Sequence, residues 1–345
     1  MPDPPGLDVA RLEAFLRREH PSVLAGGPLR AEVIAGGRSN LTYRVDGGRR
    51  PLVVRRPPLG HVQTTAHDMA REHQVISALR GSPVPVPPTI ALVDDPDAGT
   101  GTVFYVMELV EGRVLVDPAQ NADYTRAQLR TVSLELATLL AELHAIDPAR
   151  VGLAGLGRSD GYLDRQLRRW RMQLDGSRSR PVTLLDELQD RLAERVPSTA
   201  RSSIVHGDYR LDNALVGGEV PRITAILDWE MATLGDCAVD LGMLGLYWHI
   251  RDMGGAQGVA PSAVDPAAGY PDFDELVDAY CTRLGSSVPE LGWYRAFAAY
   301  KLAVILEGIH YRYLGGDTVG EGFDRIGGLV APLADEGLAQ LAGAR

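Results

Sequence analysis

The sequence predicts an α+β fold of two lobes, a small β-rich N-terminal lobe over residues 1–110 and a larger, mainly helical C-terminal lobe over residues 111–345. Three observations predict it. The first third breaks into short apolar segments separated by the glycine pairs Gly36-Gly37 and Gly47-Gly48, the punctuation of β-hairpins. Past Glu111-Gly112 the apolar residues recur at three- and four-residue spacing, as in helices with one buried face. Only three short strand-like segments interrupt this helical half, and they bracket a cluster of aspartates and an asparagine.

Taken in order, residues 31–34, 41–45 and 52–55 read as strands, and a helix is expected over about residues 66–79. Pro83, Pro85, Pro87 and Pro88 then forbid regular helix. Strands follow over residues 89–93 and 103–109, with Asp94-Asp95-Pro96-Asp97 as the turn between them. Between residues 124 and 146, Val132, Leu136, Leu139, Leu140 and Leu143 define a long helix. Further helices are expected near 160–175, 182–195, 238–250, 272–284, 290–314 and 322–342, and strands at 204–205, 214–216 and 223–227. A cleft between a strand-rich and a helical lobe is a usual place for a ligand.

Hydrophobic residues make up 45% of the chain, enough for a real core. No apolar run approaches the roughly 18 residues that a membrane span needs. Met1 to Pro5 is proline-rich and lacks the layout of a signal peptide, so a cytoplasmic protein with no membrane partner is expected. Cys237 and Cys281, the two cysteines, lie in no metal-type or redox-type motif, which argues against a disulfide framework. A formal charge of −10 argues against a nucleic-acid partner, which needs a basic surface. Lys301 is the only lysine in an arginine-rich chain.

The chemistry concentrates in Ser203-Ile-Val-His206-Gly-Asp208-Tyr-Arg-Leu-Asp-Asn213-Ala-Leu-Val and in Ile223-Thr-Ala-Ile-Leu-Asp228-Trp-Glu. Two apolar strands frame a loop running from Asp208 to Asn213, and a third ends on Asp228. Phosphoryl transfer calls for such a set. An aspartate accepts the proton of the attacking hydroxyl, while an asparagine and a second aspartate offer hard oxygen ligands to Mg²⁺.

His206-Gly207-Asp208 with Asn213 and Asp228 resembles the signature of the aminoglycoside phosphotransferase and choline kinase group, which has the protein-kinase-like fold. The match looks closest to the subgroup also found as kinase domains fused to acyl-CoA dehydrogenases, through Arg55-Arg56-Pro57-Pro58, Asp228-Trp229-Glu230 to Gly235-Asp236, and Lys301 to Tyr313. The resemblance covers residues 30–330. It implies that Asp208 is the catalytic base, that Asn213 and Asp228 hold Mg²⁺, and that His206 shapes the catalytic loop. It implies ATP as donor, with GTP an alternative, and a small-molecule hydroxyl as acceptor. It also implies that Asp240 braces the loop, although an aspartate at a helix start has the plainer reading of a favourable dipole contact. Asp236 can be a helix cap.

The N-terminal lobe is then expected to hold the nucleotide. Met69, Glu72, Ile76 and Leu79 share one helical face, so Glu72 lies on an apolar face with no basic neighbour on its own helix. A carboxylate aimed at a core needs a partner from elsewhere, and Arg55 at the end of Leu52-Val53-Val54-Arg55 is the candidate. Val53 shares the face of Arg55 and is expected to line an adenine pocket. Arg55 replaces the lysine typical of the wider family; its fork can clamp phosphate oxygens but is not equivalent to an ammonium. Arg56 points to the other face and reads as a surface charge. Gly37 and Ser39 lie in a glycine loop suited to covering phosphates. Met107 and Glu108 sit where the lobe connector would read the adenine edge. Glu230, beside Asp228, is the nearest candidate substrate contact.

His61, His67 and His73 share no helical face and read as surface residues. Trp293, Tyr294, Phe297, Tyr300, Tyr311 and Tyr313 read mostly as helix core. Two other functions compete. A protein kinase is disfavoured by His-Gly-Asp and Asp-Trp-Glu, which stand where that class carries His-Arg-Asp and Asp-Phe-Gly. A catalytically silent nucleotide-binding scaffold is favoured by Arg55 alone. The subgroup resemblance points to a hydroxylated acyl-CoA or related acid as acceptor, whereas an aminoglycoside would need an acidic cleft.

Overall fold

The computed structural model describes residues 3–34, 40–59, 68–253, 259–316 and 322–343. The chain divides into two compact units, Met1–Gly112 with Thr224–Glu230, and Arg113–Ile223 with Met231–Arg345. The segment Thr224–Glu230, placed by sequence with residues 111–345, groups with the first unit. Its backbone is tied there, Ile226 N–H donating to the Pro85 carbonyl at 2.8 Å.

The smaller unit is built on an antiparallel sheet of five strands in the order β1-β2-β3-β5-β4. These are β1 (Arg30–Val33), β2 (Leu41–Asp46), β3 (Leu52–Arg56), β4 (Thr89–Val93) and β5 (Phe104–Glu108). Strand alternation gives the sheet two different faces. Leu52, Val54, Phe104 and Val106 point into one hydrophobic core with Tyr43 and Val45. Leu12 and Leu16 of helix α1 (Val9–Glu19) close that core. Val53, Arg55, Tyr105 and Met107 occupy the opposite face, with Val53 paired to Met107 and Arg55 to Tyr105. Helix α2 (Met69–Leu79), capped by the Asp68 carboxylate on the Arg71 amide, packs on β4 and β5.

Several features depart from expectation. Helix α1 was not anticipated, although Asp8 caps it on Arg11 N–H and Val9, Leu12 and Leu16 supply its buried stripe. Arg56 is 8% exposed rather than a surface charge; it donates to the carbonyls of Gly6 at 2.7 Å and Thr100 at 3.0 Å. The N-terminal segment and the turn before β5 cover its face of the sheet, which a local pattern does not show. His73 is half-buried, its ring 6.0 Å from that of Tyr105, and burial lowers its pKa. His61 and His67 lie outside the described residues. Tyr311 and Tyr313 are exposed, because the last turn of their helix projects beyond its packing partners, while Trp293, Tyr294, Phe297 and Tyr300 are core.

The larger unit is mainly helical: α3 (Arg126–Ala145), α4 (Tyr162–Gly176), α5 (Thr183–Glu194), α6 (Ala238–His249), α7 (Phe273–Leu284), α8 (Gly292–Leu314) and α9 (Val330–Gly343). The last helix is preceded by a 3₁₀ segment, Phe323–Leu329, where one continuous helix was expected. Helix α8 is central. It packs on α4, α5, α6 and α9, and its buried residues include Tyr294, Phe297, Ala303 and Val304. Strand β6 (Ser202–Val205) pairs with β9 (Thr233–Asp236), a strand the sequence did not reveal; β7 (Ala214–Gly217) also belongs to this unit, while β8 (Arg222–Ile226) has its last three residues in the smaller one. Asp236 ends β9, one residue before Cys237, the N-cap of α6, so it is not the helix cap; its carboxylate accepts the Ala238 amide at 3.0 Å and Tyr294 O–H at 3.0 Å. Among the described residues no helix is long and apolar enough to cross a membrane.

Candidate active site

The expected site residues fall into two groups, one in each unit. In the larger unit β6 delivers the chain into His206-Gly207-Asp208, where Gly207 has φ +87°. A Cβ there would stand 2.8 Å from the Met231 carbonyl oxygen, so the turn requires glycine twice over. Asp240, on the first turn of α6 and fully buried, takes the N–H of His206 at 2.7 Å on one oxygen and the N–H of Gly207 at 2.8 Å on the other. His144 from α3 approaches the same carboxylate at 3.2 Å, and Tyr280 from α7 holds the other nitrogen of that ring at 2.8 Å. Burial alone would raise the pKa of Asp240, but His144, His206 and the Gly207 amide outweigh it and hold it below the usual carboxylate range.

His206 is itself fully buried, and its Nδ1 accepts the Asp208 N–H at 3.2 Å. That nitrogen offers its lone pair to the amide, so the ring orients the loop through this contact. Asp208 is half-buried. Its Oδ2 accepts Asn213 Nδ2 at 3.0 Å and lies 3.2 Å from Arg210 Nε. The same Asn213 amide nitrogen donates to the Asp208 carbonyl at 2.8 Å. Both bonds use the nitrogen end, so the Asn213 oxygen faces away from Asp208 and stays a hard-oxygen donor. Tyr209 ties the loop down through its hydroxyl, which donates to the Leu136 carbonyl at 2.8 Å.

In the smaller unit Arg55, Glu72 and Asp228 come together. Glu72 is 1% exposed, and its Oε2 lies 3.1 Å from Arg55 Nε. The Tyr105 hydroxyl and the Trp229 backbone N–H are further donors to Glu72. Burial pushes the Glu72 carboxyl up against the opposing pull of Arg55. Burial also pulls Arg55 down, but Glu72, Tyr105, Asp228 and Glu230 together raise it, so the guanidinium stays charged. Arg55 Nη2 reaches Asp228 Oδ1 at 2.8 Å and Glu230 Oε2 at 3.8 Å. Asn40 Nδ2 donates to that same Glu230 oxygen at 3.0 Å. Asp228 has φ 65°, the one non-glycine residue in the left-handed region among the described residues. Such a conformation costs about 1 kcal/mol or more and clusters at functional sites.

Val53 and Met107 lie side by side on the Arg55 face, both buried. The Glu108 amide is spent on the Pro88 carbonyl at 2.8 Å and its side chain on Arg50 at 3.1 Å, so its N–H is not open to a ligand edge. Gly37 and Ser39 lie outside the described residues. Three polar residues at the loop were not singled out by sequence: His144, Arg210 and, as a loop contact, Lys301. A lone histidine or lysine inside an otherwise apolar helix was the available signal for two of them.

A five-stranded antiparallel sheet with a buried arginine–glutamate pair, together with a helical unit carrying the His-Gly-Asp loop, defines a protein-kinase-like fold. A crystal structure of a presumed aminoglycoside phosphotransferase from Ralstonia eutropha shares it with a TM-score of 0.83 and 32% identity, covering 98% of this chain and 99% of that one. The ternary complex of an aminoglycoside phosphotransferase with AMP-PNP and hygromycin B shares the fold at 16% identity, TM-score 0.59, covering 96% and 97% of the two chains. The chain belongs to the phosphotransferase enzyme family, whose model matches residues 30–297. Among curated relatives, acyl-CoA dehydrogenase family member 11 from Gallus gallus is 31% identical over 342 residues, covering 96% of this chain and 43% of the relative. The chain thus spans less than half the length of that relative.

Proposed function

We propose that this chain transfers the γ-phosphoryl group of ATP to the hydroxyl of a small molecule, with Asp208 as the base. The carrying observation is the Asp208–Asn213 arrangement. One carboxylate oxygen is steadied by Asn213 and Arg210, which supports the reading that the other takes the proton of an incoming hydroxyl. The acceptor oxygen bonds to the γ-phosphorus, the bond to the β–γ bridging oxygen breaks, ADP leaves with that electron pair, and the hydroxyl proton passes to Asp208. Asn213 and Asp228 are the proposed ligands of Mg²⁺, and their oxygens suit a hard cation. When bound, Mg²⁺ would neutralise charge on the phosphates. Arg55 is the proposed phosphate contact; Nε and Nη2 are engaged with carboxylates, and Nη1 is its remaining donor end. Val53 and Met107 are the proposed apolar lining for the adenine.

A hydroxylated acyl-CoA is the acceptor we favour, because a relative 31% identical to this chain, matched over 43% of its own length, is named acyl-CoA dehydrogenase family member 11. An aminoglycoside is the second reading, favoured by the Ralstonia eutropha structure at 32% identity. A hydroxyl-compound panel containing both, read by ADP release, tests the proposal. Asp208→Ala is expected to lower kcat by at least about 10² with the affinity for nucleotide nearly kept. Unchanged turnover in that variant would remove Asp208 as the base.

A further inference from the structure

Lys301 is the chain's only lysine and sits in the middle of α8, 4% exposed, between the buried residues Tyr300 and Leu302. Its Nζ donates to the carbonyl oxygen of Gly207 and lies 5.5 Å from the centre of the Trp170 ring. Among the described residues it forms no ion pair within contact distance. A buried ammonium without a carboxylate in contact is costly, and a leucine or methionine would pack there at less expense. Its position is therefore informative.

The Gly207 carbonyl and the Asp208 N–H belong to one peptide plane. Lys301 holds the oxygen end of that plane, and His206 Nδ1 holds the hydrogen end at 3.2 Å. Asp240 meanwhile fixes the preceding N–H groups of His206 and Gly207. The plane that Lys301 and His206 grip sets the direction in which the Asp208 side chain leaves the backbone. A glycine at φ +87° supplies little rotational restraint of its own, so the grip must come from outside.

We propose that Lys301 is a positioning residue for Asp208, that turnover requires its ammonium form, and that its deprotonation shuts phosphotransfer off at alkaline pH. The proposal deepens the phosphotransfer reading and rests on it. Burial lowers the Lys301 pKa to about 8, against the raising influence of Asp208 and Asp240; Arg169 on α4 and Arg210 on the loop push it further down. Trp170, packed beneath it, carries no charge. The ammonium is thus present below about pH 8 and lost above it. A neutral amine keeps a weaker hydrogen bond to the carbonyl and lets the peptide plane relax.

A single lysine makes the test direct. Protein grown on ¹³C-lysine gives one side-chain Cε signal, whose titration reads Lys301 whether or not the enzyme turns over. ADP release from Mg-ATP is followed over pH 6 to 10, using the fastest acceptor in the hydroxyl panel, or water if none is faster. The expected result is an NMR midpoint near pH 8 that coincides with an alkaline fall in kcat, with KM for ATP changed less than twofold. Lys301→Met is expected to lower kcat about tenfold at pH 7 and to lose the alkaline limb. Lys301→Arg, which stays charged, is expected to extend activity past pH 9. An NMR midpoint at the ordinary lysine value of about 10.4 overturns the proposal without recourse to any variant. So does an alkaline limb that persists in Lys301→Met. A wild type that releases no ADP at any pH with any acceptor overturns the phosphotransfer reading itself, and this proposal with it.

Discussion

Asp240 accepts hydrogen bonds from two consecutive backbone amides and also meets His144, all out of contact with water. An asparagine in its place can accept only on one oxygen and turns an N–H₂ toward the second amide. Asp240→Asn is therefore expected to destabilise the fold by about 3 kcal/mol, read as a lowered urea midpoint with the slope unchanged. The pH dependence has a definite sign. The folded pKa is held below the unfolded value of about 3.8, so the carboxylate's stabilisation is in place above pH 3.8 and fades as pH falls through the folded pKa. The gap between wild type and variant is expected to narrow in that acid range. A gap that stays constant down to acid unfolding would mean the ionised carboxylate adds nothing beyond its shape. Arg55 shows the complementary point: one side chain meets Glu72 through Nε and Asp228 through Nη2, a division that a single ammonium nitrogen cannot reproduce.

At the level of elements, the loop is held by helices as well as by its own turn chemistry. Asp240 comes from α6, His144 from α3 and Lys301 from α8, so the loop's geometry depends on how these helices pack. At Gly242 α6 runs tightly against α8; a Cβ there would come 2.4 Å from the Tyr294 carbonyl oxygen. Gly242→Ala must push the two backbones apart. The expected cost is about 1–3 kcal/mol, with a fall in kcat although residue 242 touches none of the loop's polar groups. Thermal unfolding and ADP release measure the two together. Full turnover in a destabilised Gly242→Ala would mean that the loop does not depend on the α6–α8 spacing. In the smaller unit, α2 does similar work by delivering Glu72 to a sheet face that already carries Arg55 and Tyr105.

For the whole molecule, the proposed donor predicts a linkage effect. Mg-ATP at one hundred times its Kd is expected to stabilise the fold by about 2.7 kcal/mol, seen as a Tm rise of several degrees. Asp228→Ala is expected to abolish the Mg²⁺-dependent part of that rise, and an undiminished rise would remove Asp228 as a metal ligand. The sequence by itself determined the strand-rich first third, most of the helical remainder and the grouping of Asp208 with Asn213 in one loop, because each is encoded by local periodicity, turn residues or close spacing. Glu72 was readable as well, since its helix put a carboxylate on an apolar face where only a distant cation could meet it. Only the tertiary structure revealed that Arg56 is buried, that β9 pairs with β6, that His144 lies on Asp240 and that Lys301 lies behind Gly207. Periodicity says which face of an element is covered but not by what. These contacts join residues 28 to 96 positions apart, or depend on the covering of a sheet face by the N-terminal segment, and no local pattern carries that information.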